Sequence, residues 1–280
     1  MPNDPDKKKC DYEIQLEMND KPTEPVILAI RKLICAIIAT KMEFGLSINV
    51  NSEIPIGAGL GSSGAFSVAL AGALYLLKHG SLSHKDIYDL AWDAERIFHG
   101  PGASGIDHRM STYGGFCLFN GSFDKIVGSP FRSTYIINTK IAKKSTRELI
   151  DCVAQFRDDD LIAFDALIDR VNKWILTICG TTFNLNSAAL WKSYIKDNQA
   201  LLEQIGVSTR EISCICRDLW EDYQMAAKLT GAGGGGCIVV FVDGEGDYTE
   251  RIGQVAQRYL PKAEVREIKL STPGILVEHD

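Results

Sequence analysis

The spacing of apolar residues predicts both helices and strands in the first 100 residues. Residues 26–41 place isoleucines at helical spacing behind Thr23, a residue type that caps helices. Residues 44–50 alternate strictly between apolar and polar side chains, which predicts a half-buried strand. Small apolar residues over 65–77 predict a second helix, and the Ser83 capping box begins a third.

In the rest of the chain, the spacing of apolar residues predicts longer helices mixed with short strands. Helices are expected over 146–178, 187–205, 211–227 and 248–259, and strands over 135–138, 237–242, 265–269 and 275–278. Residues 1–24 are polar and contain three prolines, so irregular structure is expected there. The mixture predicts an α+β fold, and 280 residues predict two domains, which we place at 1–130 and 131–280.

Composition and charge exclude several classes of protein. The chain has 30 Lys and Arg against 36 Asp and Glu, a net charge of −6 without a basic block, so nucleic-acid binding is not expected. The most apolar window is broken by Arg31 and Lys32 and is too short to span a bilayer. Eight scattered cysteines are expected to be free thiols. These features predict a soluble cytoplasmic protein without a membrane partner.

A glycine-rich loop, PIGAGLGSSG at residues 55–64, leads into the predicted helix over 65–77. Its glycines permit tight bends and a close approach of the backbone to a ligand. The free N–H groups of a helix N-terminus suit a phosphate, and Ser62 and Ser63 can bind phosphate or complete the shell of Mg²⁺. A strand-to-helix turn with a serine cap is the alternative. The loop is not a Walker motif, because no GK[ST] follows.

Two carboxylates stand out between residues 89 and 115. Glu95 flanks the apolar face of its predicted helix and could hold Mg²⁺, and the alternative is a surface glutamate near the last turn. Asp107 follows a loop rich in Gly, Pro and Ser, where it could orient or deprotonate a substrate hydroxyl. A cap on the following turn is its alternative. His99 and His108 lack metal-ligand spacing, so we expect structural roles or minor substrate contacts.

A second glycine-rich segment, KLTGAGGGGC at residues 228–237, precedes a predicted strand. Five glycines in six residues make this backbone costly to order. Close approach to a ligand or to the loop over 55–64 would explain that cost. A flexible hairpin turn is the alternative.

In this order, the three segments resemble signature motifs of the GHMP small-molecule kinases. PIGAGLGSSGAFSV is similar to the family's phosphate loop, and KLTGAGGGGC is similar to its C-terminal glycine motif. The stretch ERIFHG…SGID…STYGG points to the branch of the family that phosphorylates mevalonate. The resemblance runs from about residue 44 to the C-terminus.

The resemblance implies an S5-like N-terminal domain and a ferredoxin-like C-terminal domain. It implies phosphorylation of mevalonate in isoprenoid precursor synthesis, with ATP as co-substrate and Mg²⁺ as cofactor, and it leaves a homodimer open. Asp107 matches the catalytic aspartate, and Ser63 and Glu95 match the Mg²⁺ ligands. Thr146 matches a substrate-contacting threonine, and His99 is expected beside the substrate. The residues that match ATP phosphate-binding positions are Gly57, Gly59, Leu60, Gly61, Ser62, Ser63, Gly64, Ala232 and Gly233.

The sequence departs from the family pattern in three places. The loop from His99 to Asp107 and the spacing from Asn138 to Thr146 are each one residue longer. A first motif with a lysine beside the catalytic aspartate is not found ahead of Pro55, so we expect an incomplete N-terminal domain and weak or absent activity. Two alternatives stay open: a GHMP kinase for phosphomevalonate or a sugar, and a non-catalytic protein that binds nucleotide or a partner.

Overall fold

A computed structural model describes residues 14–18, 21–38, 45–100, 103–119, 123–126, 129–179, 185–270 and 272–277. The contacts divide the chain into two compact units. The first unit comprises Met1–Ile54, Gly61–Gly115 and Thr272–Asp280, and the second comprises Pro55–Leu60 and Phe116–Ser271.

The main division of the chain falls after Gly115, whereas we placed the domain boundary at residue 130. In addition, Pro55–Leu60 belongs to the second unit and Thr272–Asp280 belongs to the first. The segment around Ala58 groups with the second unit because its carbonyl accepts a hydrogen bond from the Cys237 N–H at 3.1 Å. The last segment groups with the first unit because Gly114 and Pro273 form an antiparallel bridge. The boundaries of the family domains stay a prediction.

Helices pack against a parallel strand pair in the first unit. Strand β1 (Ile14–Met18) pairs with β2 (Leu46–Val50), and α1 (Glu24–Ile38) connects them. Strand β1 corrects the expectation of irregular structure for residues 14–18, and residues 1–13 and 19–20 lie outside the described residues. The alternation in that segment is weak, and it forms a strand because β2 provides a hydrogen-bonding edge.

Three further helices complete the described part of the first unit: α2 (Ser62–His79), α3 (His84–His99) and α4 (Ile106–Tyr113). The predicted cap is confirmed, since the Ser83 hydroxyl accepts a hydrogen bond from the Asp86 N–H. Helix α4 was not predicted, because its eight residues lack a long apolar stripe. The helices share a core of small and aliphatic side chains that includes Leu33, Ala71 and Ile87.

The second unit contains an antiparallel sheet and a separate hairpin. The hairpin is β3 (Phe116–Phe119) with β4 (Phe123–Ile126). The strands of the sheet are β5 (Ser133–Asn138), β6 (Ala226–Leu229), β7 (Cys237–Val242) and β8 (Glu264–Ile268). The sheet has the order β6-β7-β5-β8, with strands joined as a split βαβ pattern, which is the ferredoxin-like arrangement that the resemblance implied.

The helices of the second unit differ from the predicted ones in two places. The predicted helix over 146–178 divides at Asp160, whose carboxylate accepts a hydrogen bond from the Ala163 N–H. The predicted helix over 211–227 ends at Tyr223, because the residues that follow pair with β7. The helices are α5 (Thr146–Asp159), α6 (Leu161–Cys179), α7 (Ala188–Gln204), α8 (Arg210–Tyr223) and α9 (Thr249–Tyr259).

Three other expectations can be compared with the structure. The predicted strand over 275–278 is wrong for residues 275–277, and residue 278 lies outside the described residues, as does Phe44. Cys35 is disulfide-bonded, so the expectation of free thiols is wrong for that residue. In the described part of the chain, none of the helices has the length and apolarity needed to cross a bilayer.

Candidate functional site

Four polar side chains from three helices converge in the first unit. Ser63 lies in the first turn of α2, Glu95 and His99 are one turn apart on α3, and Asp107 lies in the first turn of α4. The ligand atoms of Glu95, His99 and Asp107 all lie within 4.8 Å of one another. The fold therefore brings together the predicted catalytic aspartate and the predicted metal ligands, although they are up to 44 residues apart in the sequence, from Ser63 to Asp107.

Short polar contacts connect the members of this cluster. The Ser63 hydroxyl lies 2.9 Å from Nε2 of His99 and donates a hydrogen bond to Oε1 of Glu95 at 3.4 Å. The same carboxylate oxygen lies 3.2 Å from Nε2 of His99. The second oxygen of Glu95, Oε2, is buried and has no hydrogen-bond partner. A buried carboxylate oxygen without a partner is an atom that a bound cation would satisfy.

The electrostatics of Glu95 also suit a cation. Glu95 is 3% exposed, and burial raises the pKa of its carboxyl group. The nearby His99 opposes this shift in pKa, and the charge of Asp107 adds to it. A divalent cation would remove the cost of holding these two carboxylates side by side. Mg²⁺ prefers carboxylate and hydroxyl oxygens, so the oxygens of Glu95, Asp107 and Ser63 fit this ion.

Asp107 is positioned by the glycines that precede and begin α2. A Cβ atom at Gly61 would lie 3.2 Å from the carboxyl carbon of Asp107, and one at Gly64 would lie 2.7 Å from its carbonyl carbon. The α2 and α4 backbones can approach this closely only because Gly64 has no side chain. Asp107 is exposed and lies inside a helix, so the alternative of a cap on a turn is wrong.

Replacing Gly64 by Ala tests this close approach. We expect Gly64→Ala to destabilise the chain by about 1–3 kcal/mol, because the new methyl group would overlap the backbone between Asp107 and His108. Gly253→Ala is the matched control, since its Cβ would meet only Val265 at 4.0 Å and should stabilise helix α9 by about 0.5–1 kcal/mol. Urea unfolding measures both values. Equal effects of the two variants would contradict the close approach.

His108 follows the aspartate but does not reach the cluster's polar contacts. Its ring is fully buried, stacks on Tyr88 at 4.6 Å between centroids and lies 4.9 Å from the Trp92 ring. Neither ring nitrogen has a hydrogen-bond partner. Burial lowers the pKa of His108, which favours a neutral ring. The structure therefore supports the structural role that was expected for this histidine.

The burial of His108 predicts a pH dependence of stability. Because its pKa is lowered in the folded state, the unfolded chain takes up the proton first, and stability falls as the pH drops through about 6.5. We expect His108→Leu to reduce this loss between pH 7.5 and 5.5. The exposed His79 provides the control variant His79→Gln, which should retain the loss. Thermal unfolding at each pH measures both, and identical profiles for His108→Leu and the wild type would contradict the prediction.

In the second unit, the loop over Pro55–Leu60 lies directly on the glycine segment over 231–236. The Ala58 carbonyl accepts hydrogen bonds from the Cys237 N–H at 3.1 Å and from the Thr230 hydroxyl at 3.3 Å. A Cβ atom at Gly59 would lie 2.8 Å from the carbonyl oxygen of Thr230. The expected close approach of the two glycine-rich segments is therefore seen, and the N–H groups of Gly234 and Gly236 donate to the carbonyls of Val207 and Ile141.

The other predicted phosphate-binding residues have different surroundings. Ala232 is exposed, whereas Gly233 is buried and packs against the Val207 carbonyl. Leu60 packs its side chain against the apolar cluster that includes Ile136. Thr146 begins α5, and its side chain lies outside the described residues. The roles of these residues in binding stay predictions.

Sequence reasoning did not assign a role to Thr230 or group His99 with the carboxylates. The hydroxyl of Thr230 connects residues 172 positions apart, a contact that no local pattern predicts. His99 lies four residues after Glu95, so the helical spacing of the pair was visible in the sequence.

Comparison with known proteins places the chain in a family. Residues 26–115 match the GHMP kinases N terminal domain, and residues 182–260 match GHMP kinases C terminal. The chain is 38% identical over 201 residues to mevalonate kinase of Archaeoglobus fulgidus, which covers 72% of this chain and 67% of that protein. It is 32% identical over 209 residues to mevalonate kinase of Pyrococcus horikoshii, which covers 71% of this chain and 60% of that protein.

Solved structures share the fold. Mevalonate kinase of Methanococcus jannaschii matches with a TM-score of 0.71 and 24% identity, over 92% of this chain and 84% of that one. L. major mevalonate kinase in complex with R-mevalonate matches with a TM-score of 0.73 and 23% identity, over 91% and 81%. The two family matches contain the cluster of Glu95 and Asp107 and the glycine segment over 231–236, respectively. The chain belongs to the GHMP kinase family and is a relative of its mevalonate kinases.

Proposed function

We propose that this chain transfers the terminal phosphoryl group of ATP to a hydroxyl group of mevalonate, as its relatives' name, mevalonate kinase, indicates, and that the product serves isoprenoid precursor synthesis. The observation that supports this best is the convergence of Glu95, His99 and Asp107 within 4.8 Å. The chain spans about two thirds or less of the length of these curated relatives, 67% and 60%.

In this proposal, Asp107 acts on the substrate hydroxyl. Its exposed carboxylate can accept the hydroxyl proton as the oxygen attacks the terminal phosphorus and ADP leaves. Ser63, Glu95 and Asp107 are proposed to hold Mg²⁺, which when bound neutralises charge on the phosphates. His99, which contacts both Ser63 and Glu95, is proposed to orient these ligands. Phosphoryl transfer depends mainly on such positioning and charge neutralisation.

Phosphoryl transfer also requires a binding site for the phosphates of ATP, and backbone N–H groups can supply it. Gly61 caps α2 without a side-chain hydrogen bond, so the N–H groups of the first turn of α2 are available to an anion. We propose that this first turn of α2 binds phosphates of ATP. As a separate proposal, the exposed Gly231 and Ala232 of the second unit offer backbone N–H groups to phosphate oxygens. A homodimer and a cytoplasmic location stay predictions.

A substrate panel tests the proposed function. The purified chain, with Mg²⁺ and ATP, is offered R-mevalonate, phosphomevalonate, galactose or no acceptor, and ADP release is followed by a coupled assay. We expect release with mevalonate alone, and turnover near 1–100 s⁻¹ would contradict the expectation of weak activity. Release with another acceptor would favour another GHMP kinase. Nucleotide binding without release would favour a non-catalytic protein.

A further inference from the structure

The ammonium group of Lys143 lies where two glycine-rich segments of the second unit meet. A Cβ atom at Gly231 would lie 2.9 Å from Cα of Gly59 and 3.4 Å from Nζ of Lys143. Both glycines have positive φ, +62° at Gly231 and +80° at Gly59, a conformation in which other residues are strained. The ammonium group therefore lies close to the backbone of Gly231, which is exposed.

Backbone hydrogen bonds fix the loop that carries this lysine. The Gly236 N–H donates to the Ile141 carbonyl at 3.2 Å, and the Lys144 N–H donates to the Gly234 carbonyl at 3.1 Å. Lys143 thus lies between two residues that are anchored to the glycine segment over 231–236. Because the backbone is held on both sides of Lys143, this backbone loses little conformational freedom when a ligand binds.

The fold itself does not account for a cation at this position. Lys143 is half-buried, and within the described residues its ammonium makes no hydrogen bond or ion pair, whereas Lys140 pairs with Glu264 at 2.7 Å. Ser145, two residues later, caps the N-terminus of α5, which is the end of a helix where positive charge is unfavourable. A half-buried lysine without an anion, beside the exposed backbone of Gly231 and Ala232, suits an anionic ligand.

We propose that Lys143 binds the phosphate chain of the nucleotide at the glycine segment over 231–236. The inference rests on the proposed function, because it takes ATP as the ligand. Backbone N–H groups and a lysine ammonium are complementary to phosphate oxygens in charge and in hydrogen bonding. Lys143 also lies in the stretch from Asn138 to Thr146 that is one residue longer than the family pattern.

Nucleotide binding tests the proposal directly. A fluorescent ATP analogue is bound to the full chain with Mg²⁺ and displaced by inorganic tripolyphosphate or by adenosine. Lys143→Gln should weaken tripolyphosphate binding by about tenfold or more, the usual effect of losing a charged hydrogen bond. Adenosine binding should not change, because adenosine has no phosphate. Lys143→Arg should retain most of the tripolyphosphate affinity.

Lys262→Gln is the matched control, since it removes an exposed lysine of the second unit that lies between α9 and β8. It should bind tripolyphosphate like the wild type, and all variants should share one thermal midpoint. Equal losses in Lys143→Gln and Lys262→Gln, or no loss in Lys143→Gln, would overturn the proposal while leaving the proposed function standing if the wild type phosphorylates mevalonate. A wild type that binds neither the ATP analogue nor tripolyphosphate would contradict the proposed function and this inference together.

Discussion

Asp107→Asn is expected to lower kcat for mevalonate phosphorylation by about 10²- to 10⁴-fold, the usual contribution of a general base. Asparagine has the same shape as aspartate but cannot accept the hydroxyl proton. The side chain is exposed in the first turn of α4, so the variant should fold and lose only the small favourable interaction of a carboxylate with the helix dipole, about 0.3–1 kcal/mol.

Steady-state kinetics and thermal unfolding together check this result. Asp93→Asn is the control, because Asp93 is an exposed carboxylate on α3 whose contact with Lys32 is a 3.8 Å surface ion pair. It should leave kcat within about twofold of the wild type, since such pairs contribute little. A variant Asp107→Asn that keeps half or more of the wild-type kcat would contradict the assignment of the base.

Glu95→Gln is expected to abolish the response to Mg²⁺ while making the cation-free chain more stable. Burial raises the pKa of Glu95, so keeping it ionised costs folding free energy as the pH rises through its unfolded value of about 4.3. At pH 7.5 the wild type therefore bears that cost, and the glutamine does not. We expect the variant to gain about 1 kcal/mol in the absence of Mg²⁺, and to show no response to Mg²⁺ concentrations that saturate the wild type, because it lacks a carboxylate ligand.

Thermal unfolding with increasing Mg²⁺ separates the two effects. The wild-type midpoint should rise with Mg²⁺, because a ligand that binds the folded state stabilises it, and the Glu95→Gln midpoint should start higher and stay flat. Asp89→Asn removes an exposed carboxylate from the same helix and should keep the wild-type response. Equal stabilisation of Glu95→Gln and the wild type by Mg²⁺ would show that the ion binds elsewhere.

Local sequence patterns predicted many of the elements but missed those that depend on distant partners. The alternation in β2, the apolar run of β7 and the Ser83 cap were visible because each is a short-range signal. Strand β1 was missed because its alternation is weak without the neighbouring strand. Helix α4 was missed because it has only eight residues and its stability depends on packing against α2 and α3.

From the sequence, we predicted only those residues of the candidate site that belong to recognisable motifs. Ser63, Glu95 and Asp107 were singled out from the sequence, but their convergence results from the packing of three helices. The contacts of Thr230 with the loop at Ala58 and of Lys143 with Gly231 join segments far apart in the chain. A spacing rule cannot predict such contacts, because they are set by how loops fold back on the sheet.

The most direct test of the proposed function is the ³¹P NMR spectrum of the products. The purified chain is incubated with ATP, Mg²⁺ and R-mevalonate, with Asp107→Asn treated in parallel. We predict that the wild-type sample shows a phosphomonoester signal from phosphorylated mevalonate, formed in an amount equal to ADP. The Asp107→Asn sample should show almost no such signal. A wild-type sample in which ATP stays intact, or is converted to ADP and inorganic phosphate without the monoester, would contradict it.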